Sequence, residues 1–182
     1  MKQLLLVSCL LSLSAILGLP EVKADVRMPL IFGNHMVLQQ DTRITIWGWA
    51  DAGENIEVLF AGQKVRTTAN ADGTWQVKLK PVKTKKKGET LTITGKNKLV
   101  YSDVLVGDVW VASGQSNMEW GIKVRKEYAD DIAHSEDSLL RLFFVPKNTS
   151  LQPLSEIEIP QGTASPERAA RWVLCTPEML AK

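Results

Sequence analysis

A serine with neighbours suited to nucleophilic chemistry stands in the run Gly114-Gln115-Ser116-Asn117-Met118-Glu119-Trp120. The run follows a compact apolar segment, Val109-Trp110-Val111-Ala112, bounded by Gly107-Asp108 and Ser113-Gly114. Such a segment predicts a central parallel strand covered on both faces. Open α/β sheets bind ligands at the carboxyl ends of their strands, so a tight turn here would expose the Ser116 hydroxyl. The N–H of Ser116 and those after it would then point at an incoming acyl oxygen. Donors of this kind matter, because removing one from an oxyanion site costs about 10²- to 10³-fold in rate. Gly114 lets the backbone turn sharply. Met118 occupies the place of the second glycine in a Gly-x-Ser-x-Gly elbow, so the turn is of another kind. The same residues also suit an ordinary strand-to-loop turn, and spacing alone does not separate the two.

Two groups of elements must position this serine. From about Arg27 to Tyr101 the sequence reads as short strands joined by turns. Arg43 to Trp49 alternates Ile44 and Ile46 against Arg43 and Thr45, the period of a half-buried strand. Ile56 to Phe60 and Lys64 to Thr68 flank Ala61-Gly62, and Asp72-Gly73 separates the latter run from Thr74 to Leu79. Both glycine pairs are hairpin signals. Thr90 to Thr94 and Lys98 to Val104 continue the pattern around Gly95-Lys96-Asn97. Short strands at this spacing predict a small β-sandwich over residues 25–105, with Trp47, Trp49 and Trp75 in its core and His35 a packing residue. Lys83 to Lys87 reads as a solvated loop tip between strands.

From residue 106 the texture changes to α/β. A helix is predicted from about Val124 to His134, with Val124, Tyr128 and Ile132 on one stripe, and a buried strand over Leu139 to Val145. Together with Val109–Ala112 these make a βαβ unit. Arg171 to Leu174 reads as another strand, Thr176 as a helix N-cap and Pro177 as the first helical residue. About three strands and a helix just begun do not complete a doubly wound sheet, so residues 106–182 are expected to be the N-terminal part of a truncated domain.

The ends and the composition limit the partners. Lys2, the apolar stretch Leu4 to Leu19 and the small residues Val22 and Ala24 predict a signal peptide over residues 1–24, cleaved after Ala24, hence a secreted or periplasmic protein. Ser8, Ser12, Ser14 and Gly18 break the stretch, which is short of the roughly 20 residues a bilayer span needs, so no membrane span is expected in the mature chain. The chain has 22 Lys and Arg against 20 Asp and Glu, a balance that argues against a nucleic-acid partner. Cys9 leaves with the leader, so Cys175 is unpaired in the mature chain. One cysteine with the distant His35 and His134 forms no zinc pattern, and neither a metal nor another cofactor is expected.

The motif and its surroundings resemble the SGNH hydrolases, and among them the sialate O-acetylesterase family. The likeness is carried by Gly107 to Trp120 (GDVWVASGQSNMEW), by Pro29 to Gln39, by Arg141 to Pro146 and by Trp172 to Glu178. It implies a flavodoxin-like parallel sheet and metal-free hydrolysis of O-acetyl esters on sialic acids or related glycans. Ser116 matches the family's nucleophile, and its N–H would be one oxyanion donor. Gln115, Asn117, Glu119 and Trp120 are the substrate-binding candidates around it, with support of the turn as the other role for Glu119 and Trp120. The family's further oxyanion donors, and the Asp-x-x-His that supplies base and orienter, come from later blocks that match nothing here. Asp131-Ile132-Ala133-His134 has that spelling, but it sits on the first crossover helix and reads as accidental. Two other functions compete: a non-catalytic β-sandwich module binding glycans through exposed tryptophans, and a purely structural exported protein.

Overall fold

The computed structural model describes residues 25–163 and 169–181; the expected leader, residues 1–24, lies outside them. The strands are β1 (Val37–Gln39), β2 (Ile44–Trp49), β3 (Asn55–Phe60), β4 (Gln63–Thr68), β5 (Thr74–Leu79), β6 (Lys85–Thr94), β7 (Lys98–Gly107), β8 (Asp137–Phe143) and β9 (Trp172–Cys175). Among the described residues the α-helices are α1 (Ala129–Ala133) and α2 (Pro177–Leu180), both short. The architecture is mostly sheet.

Five strands form one mixed sheet in the order β1-β7-β6-β3-β4, with β1 parallel to β7 and the other neighbours antiparallel. β2 and β5 pair antiparallel as a separate ribbon. Alternation does what the sequence requires of it. Ile44 and Ile46 of β2, Ile56, Val58 and Phe60 of β3, and Trp75, Val77 and Leu79 of β5 are all buried in one core with Leu91, Ile93, Val104 and Val106. Burying each such side chain stabilises by roughly 1.5–3 kcal/mol, so this shared core holds ribbon and sheet together.

Ala61-Gly62 makes the β3–β4 hairpin, both residues having positive φ. Asp72-Gly73 does not make a second one. β4 stays in the large sheet while β5 crosses to β2, in full register from Ile44↔Leu79 to Trp49↔Thr74. The turn instead closes on itself through Asn70, which accepts from Gly73 and donates to Thr74. The lysine run also differs from expectation: Lys85, Lys86 and Lys87 open β6, with Lys85 opposite Val106, and only Lys83 and Thr84 precede the strand. Their side chains still face solvent.

The larger correction concerns residues 109–145. Val109–Ala112 forms no strand, and Trp110 and Val111 are 88% and 90% exposed. A central strand needs a hydrogen-bonding neighbour on each edge, and none of the described residues lies in position to supply one. The predicted helix breaks into 3₁₀ turns at Ile122–Val124 and Lys126–Tyr128 followed by α1. Two of the three stripe residues, Val124 and Tyr128, are exposed, and short helices with little tertiary packing are marginal. The expected βαβ unit is therefore absent from this structure. β8 pairs antiparallel with β9 instead, with Leu142 opposite Val173. Beyond β9, Thr176 caps α2 by accepting from Met179 N–H, with Pro177 in the first helical position as read from the sequence.

Among the described residues, polar contacts tie this second sheet region to the first. Trp172 Nε1 donates to Ile31 O at 2.8 Å. Arg27 Nη1 reaches both Glu156 carboxylate oxygens at 2.7 and 2.6 Å. Arg141 Nη2 donates to Asp103 Oδ2 at 3.0 Å. Among the described residues no helix is long and apolar enough to cross a membrane.

Candidate active site

β7 ends at Gly107, and the chain leaves the sheet toward the motif under two restraints. Gln39 Oε1 accepts from Val109 N–H at 2.8 Å, and the Gln40 amide donates to Asp108 at 3.1 Å. Ser116 opens a 3₁₀ turn running to Glu119, preceded by Gln115 in extended conformation. Met118 N–H donates to Gln115 O at 2.9 Å and Trp120 N–H to Asn117 O at 3.2 Å. Gly114 acts here through space rather than backbone freedom. A Cβ at Gly114 would lie 2.7 Å from Met118 Cγ, so the missing side chain is what lets Met118 fold back over the turn.

Ser116, Gln115 and Asn117 are exposed, and Trp120 is 66% exposed. The Ser116 hydroxyl makes no hydrogen bond to the other described residues, and neither histidine reaches it in one. Asn117 and Trp120 line a cavity of about 410 Å³ with Gly121, Ile122, Arg125 and Tyr128. Sequence reasoning had singled out the first two; Arg125 and Tyr128 were missed because they follow the motif on what reads as an ordinary amphipathic helix. Breaking that helix into 3₁₀ turns is what brings them to the same cavity.

His134 Nδ1 donates to Asp130 O at 2.8 Å, and Asp131 is exposed. The Asp-x-x-His spelling thus makes no His–carboxylate pair. The pair that does form was not foreseen. His35 Nδ1 lies 2.7 Å from Asp103 Oδ2, the same oxygen that accepts from Arg141. Partial burial works against the Asp103 carboxylate, but the His35 hydrogen bond and the Arg141 charge outweigh it and hold its pKa below the usual range. His35 and Asp103 both have positive φ, 64° and 53°. Gly88 makes room for Asp103, since a Cβ there would meet Asp103 Oδ1 at 2.2 Å and Asp103 Cα at 2.7 Å. The partners lie 68 and 38 residues apart, and no local pattern announces them.

Of the tryptophans, Trp75 is buried as expected, but Trp47 is not in the core. It is 38% exposed on the outer face of β2, its ring edge-on to Phe32 at 4.7 Å. The period-2 alternation that buries Ile46 turns Trp47 outward. Trp49 carries the Arg27 guanidinium 4.0 Å above its ring.

No family model matches the chain. A crystal structure of a carbohydrate acetylesterase from Xanthomonas citri matches with a TM-score of 0.76 at 34% identity, over 86% of this chain and 34% of its own. The sialate O-acetylesterase of Mus musculus is 32% identical over 141 residues, that of Rattus norvegicus 34% over 141, and that of Homo sapiens 28% over 148. The class that sequence and structure define together is that of the carbohydrate esterases. Within it, the chain belongs to the sialate O-acetylesterase family. It covers 26% of the mouse relative and 25% of the rat one, so it spans about a quarter of the length of the curated relatives it matches.

Proposed function

We propose that this chain carries the nucleophile of an exported carbohydrate O-acetylesterase, with Ser116 attacking the acetyl carbonyl of an acylated glycan. The observation that carries the reading is the exposed Ser116, on a 3₁₀ turn inside the family-specific GQSNMEW run, next in sequence to a residue lining an open cavity. In the reaction, Ser116 Oγ bonds to the acetyl carbon as a base takes its proton, the sugar hydroxyl leaves with a proton, and water then releases acetate from the acetyl-serine. The Ser116 N–H, which donates to no described group, supplies one oxyanion contact.

The base and its orienting carboxylate belong, in this proposal, to the three quarters of the family's length that this chain does not span. Neither histidine hydrogen-bonds to Ser116, which supports that division. Residues 25–105 are then a β-sandwich domain and residues 106–182 the start of an SGNH-type hydrolase domain, whose further strands would cover Val109–Ala112. Residues 1–24 direct export, and the mature protein begins at Asp25.

The test replaces the corresponding third of the Xanthomonas citri enzyme with this chain. The chain alone should hydrolyse p-nitrophenyl acetate no faster than buffer, because members of a catalytic set act as a unit. The chimera should hydrolyse it, and Ser116→Ala should lower kcat at least about a thousandfold. A chimera that keeps its activity without the serine hydroxyl would remove Ser116 from the chemistry. A second reading, glycan binding by residues 25–105 without catalysis, is favoured by the exposed Trp47 ring, and it requires retention of those residues on a glycan column.

A further inference from the structure

Alternation turns one face of the β2–β5 ribbon outward, and the charged side chains on its strands are of one sign. Ile44, Ile46, Val77 and Leu79 point into the core, which leaves Thr45 opposite Lys78 and Trp47 opposite Gln76 on the outer face. One step beyond Ile44↔Leu79 the same register brings Arg43 opposite Lys80, and Asp41 N–H donates to Val82 O at 3.2 Å to keep the strands together there. Like charges directly opposite each other on a sheet are destabilising. Arg43, Lys78 and Lys80 are all exposed, so water lowers that cost without removing it.

The chain carries this charge onward, since residues 78–87 hold six lysines and no acidic residue. Lys85 pairs with Glu89. Lys78, Lys80, Lys83, Lys86 and Lys87, with Arg43, form no ion pair among the described residues. Elsewhere the basic side chains Arg27, Lys64, Arg66 and Lys96 each meet a carboxylate, from Glu156, Glu57, Glu57 and Asp51 in turn. The acids nearest the face in sequence are Asp41, in the turn before Arg43, and Asp72, whose carboxylate is engaged by the N–H and hydroxyl of Thr74. Beside the cationic end stands Trp47, 38% exposed, its ring edge-on to Phe32.

We propose that this face docks the protein on an anionic phospholipid bilayer, with the lysines in the field of the headgroups and the Trp47 ring at the interface. The match is one of charge, an unneutralised cationic strip against a negative leaflet. Two features select a bilayer over a polyanionic chain. The strip is lysine apart from Arg43, and lysine is a hydrated point charge suited to a diffuse field, whereas the fixed anionic groups of a polymer are better held by arginine forks. An exposed tryptophan beside cations is also the composition that membrane interfaces favour, one end of the ring apolar and the other wet. The attachment is peripheral and does not rest on the esterase reading, since none of these residues belongs to the Ser116 motif.

The test is sedimentation of the full chain with vesicles of phosphatidylcholine, with and without about a third phosphatidylglycerol, in low salt and in about 1 M NaCl, where the screening length is about 3 Å. The chain should bind the anionic vesicles at least about tenfold more strongly than the neutral ones in low salt, and the difference should vanish in high salt. Each cation near an anionic leaflet is worth roughly a fivefold change in partitioning, so Arg43→Gln, Lys78→Gln and Lys80→Gln together should weaken that binding about a hundredfold. Lys64→Gln, Arg66→Gln and Lys98→Gln together remove the same charge from the outer face of the five-stranded sheet and should weaken it less than about fivefold. Comparing variants of one chain cancels whatever residues 1–24 contribute. Brominated lipid in the anionic vesicles should quench tryptophan fluorescence, and the quenching should fall in Trp47→Phe. Equal binding to neutral and anionic vesicles, equal losses in the two triple variants, or quenching unchanged in Trp47→Phe overturns the proposal. Retention on dextran sulfate without binding to anionic vesicles overturns it too, and would make the partner a polyanionic chain.

Discussion

Replacing Asp103 with asparagine should destabilise the fold by about 1.5–3 kcal/mol, although its side chain is partly exposed. The cost arises at its partner. The Arg141 side chain is 3% exposed and its Nε already lacks a partner among the described residues, so Asp103 is the carboxylate that offsets its desolvation. What else it holds is backbone: Nη1 donates to Ser138 O and, at 3.4 Å, to Leu140 O. Removing one side of a fully buried pair costs about 3–5 kcal/mol. The Asp103 side chain is 36% exposed, so water softens the loss toward the roughly 1.5–3 kcal/mol of a hydrogen bond to a charged group. Urea unfolding followed by tryptophan fluorescence measures it. A cycle with Arg141→Met, which keeps length without charge, should give a coupling energy of at least about 1 kcal/mol. The pH dependence has a definite sign. The folded pKa of Asp103 is depressed, so its contribution is present above the ordinary carboxylate range and is lost as pH falls through the folded value. The gap between wild type and Asp103→Asn should therefore narrow in acid below about pH 4. An asparagine variant within about 0.5 kcal/mol of wild type at pH 7, or strict additivity with Arg141→Met, would refute the reasoning.

Gly88→Ala should destabilise by about 1–3 kcal/mol, because its Cβ would meet Asp103 backbone at 2.7 Å, and that loss should persist when Asp103 is already asparagine, which leaves the same backbone in place; a neutral Gly88→Ala would mean the two strands separate freely. Cys175 is buried, donates from Sγ to Ser135 O at 3.2 Å, and has its pKa raised by burial first and by Asp137 second. Maleimide at pH 7 should leave it unlabelled in the native chain and label it fully in urea, and fast native labelling would contradict the packing.

The strand-rich half was legible because its information is local. Alternation over Ile44–Trp49 and Thr74–Leu79 fixes which faces are buried, and Ala61-Gly62 fixes one hairpin. What alternation does not carry is pairing. β5 obeys the same pattern whether it joins β4 or β2, and the choice of β2 comes from the core that ribbon and sheet share. The three-residue β1, parallel to β7, is too short to show a period at all. The Asp103 cluster is invisible for a related reason: ordinary residues from β7, the turn before β1 and β8 become special only after the sheets have met.

The motif region shows the converse. Its chemistry was readable while its secondary structure was not, because the two depend on different ranges of interaction. The run Gln115 to Trp120 fixes a 3₁₀ turn through contacts three residues apart, Met118 to Gln115 and Trp120 to Asn117, and these need nothing from the rest of the chain. Val109–Ala112 has the composition of a strand buried on both faces, a property that only neighbours can satisfy. In their absence the same four residues leave Trp110 and Val111 almost fully in water. A serine held by its own turn keeps its local geometry whether or not the strand before it is paired. The cavity beside it has the same independence, since each of its lining residues lies between Asn117 and Tyr128, within twelve consecutive residues.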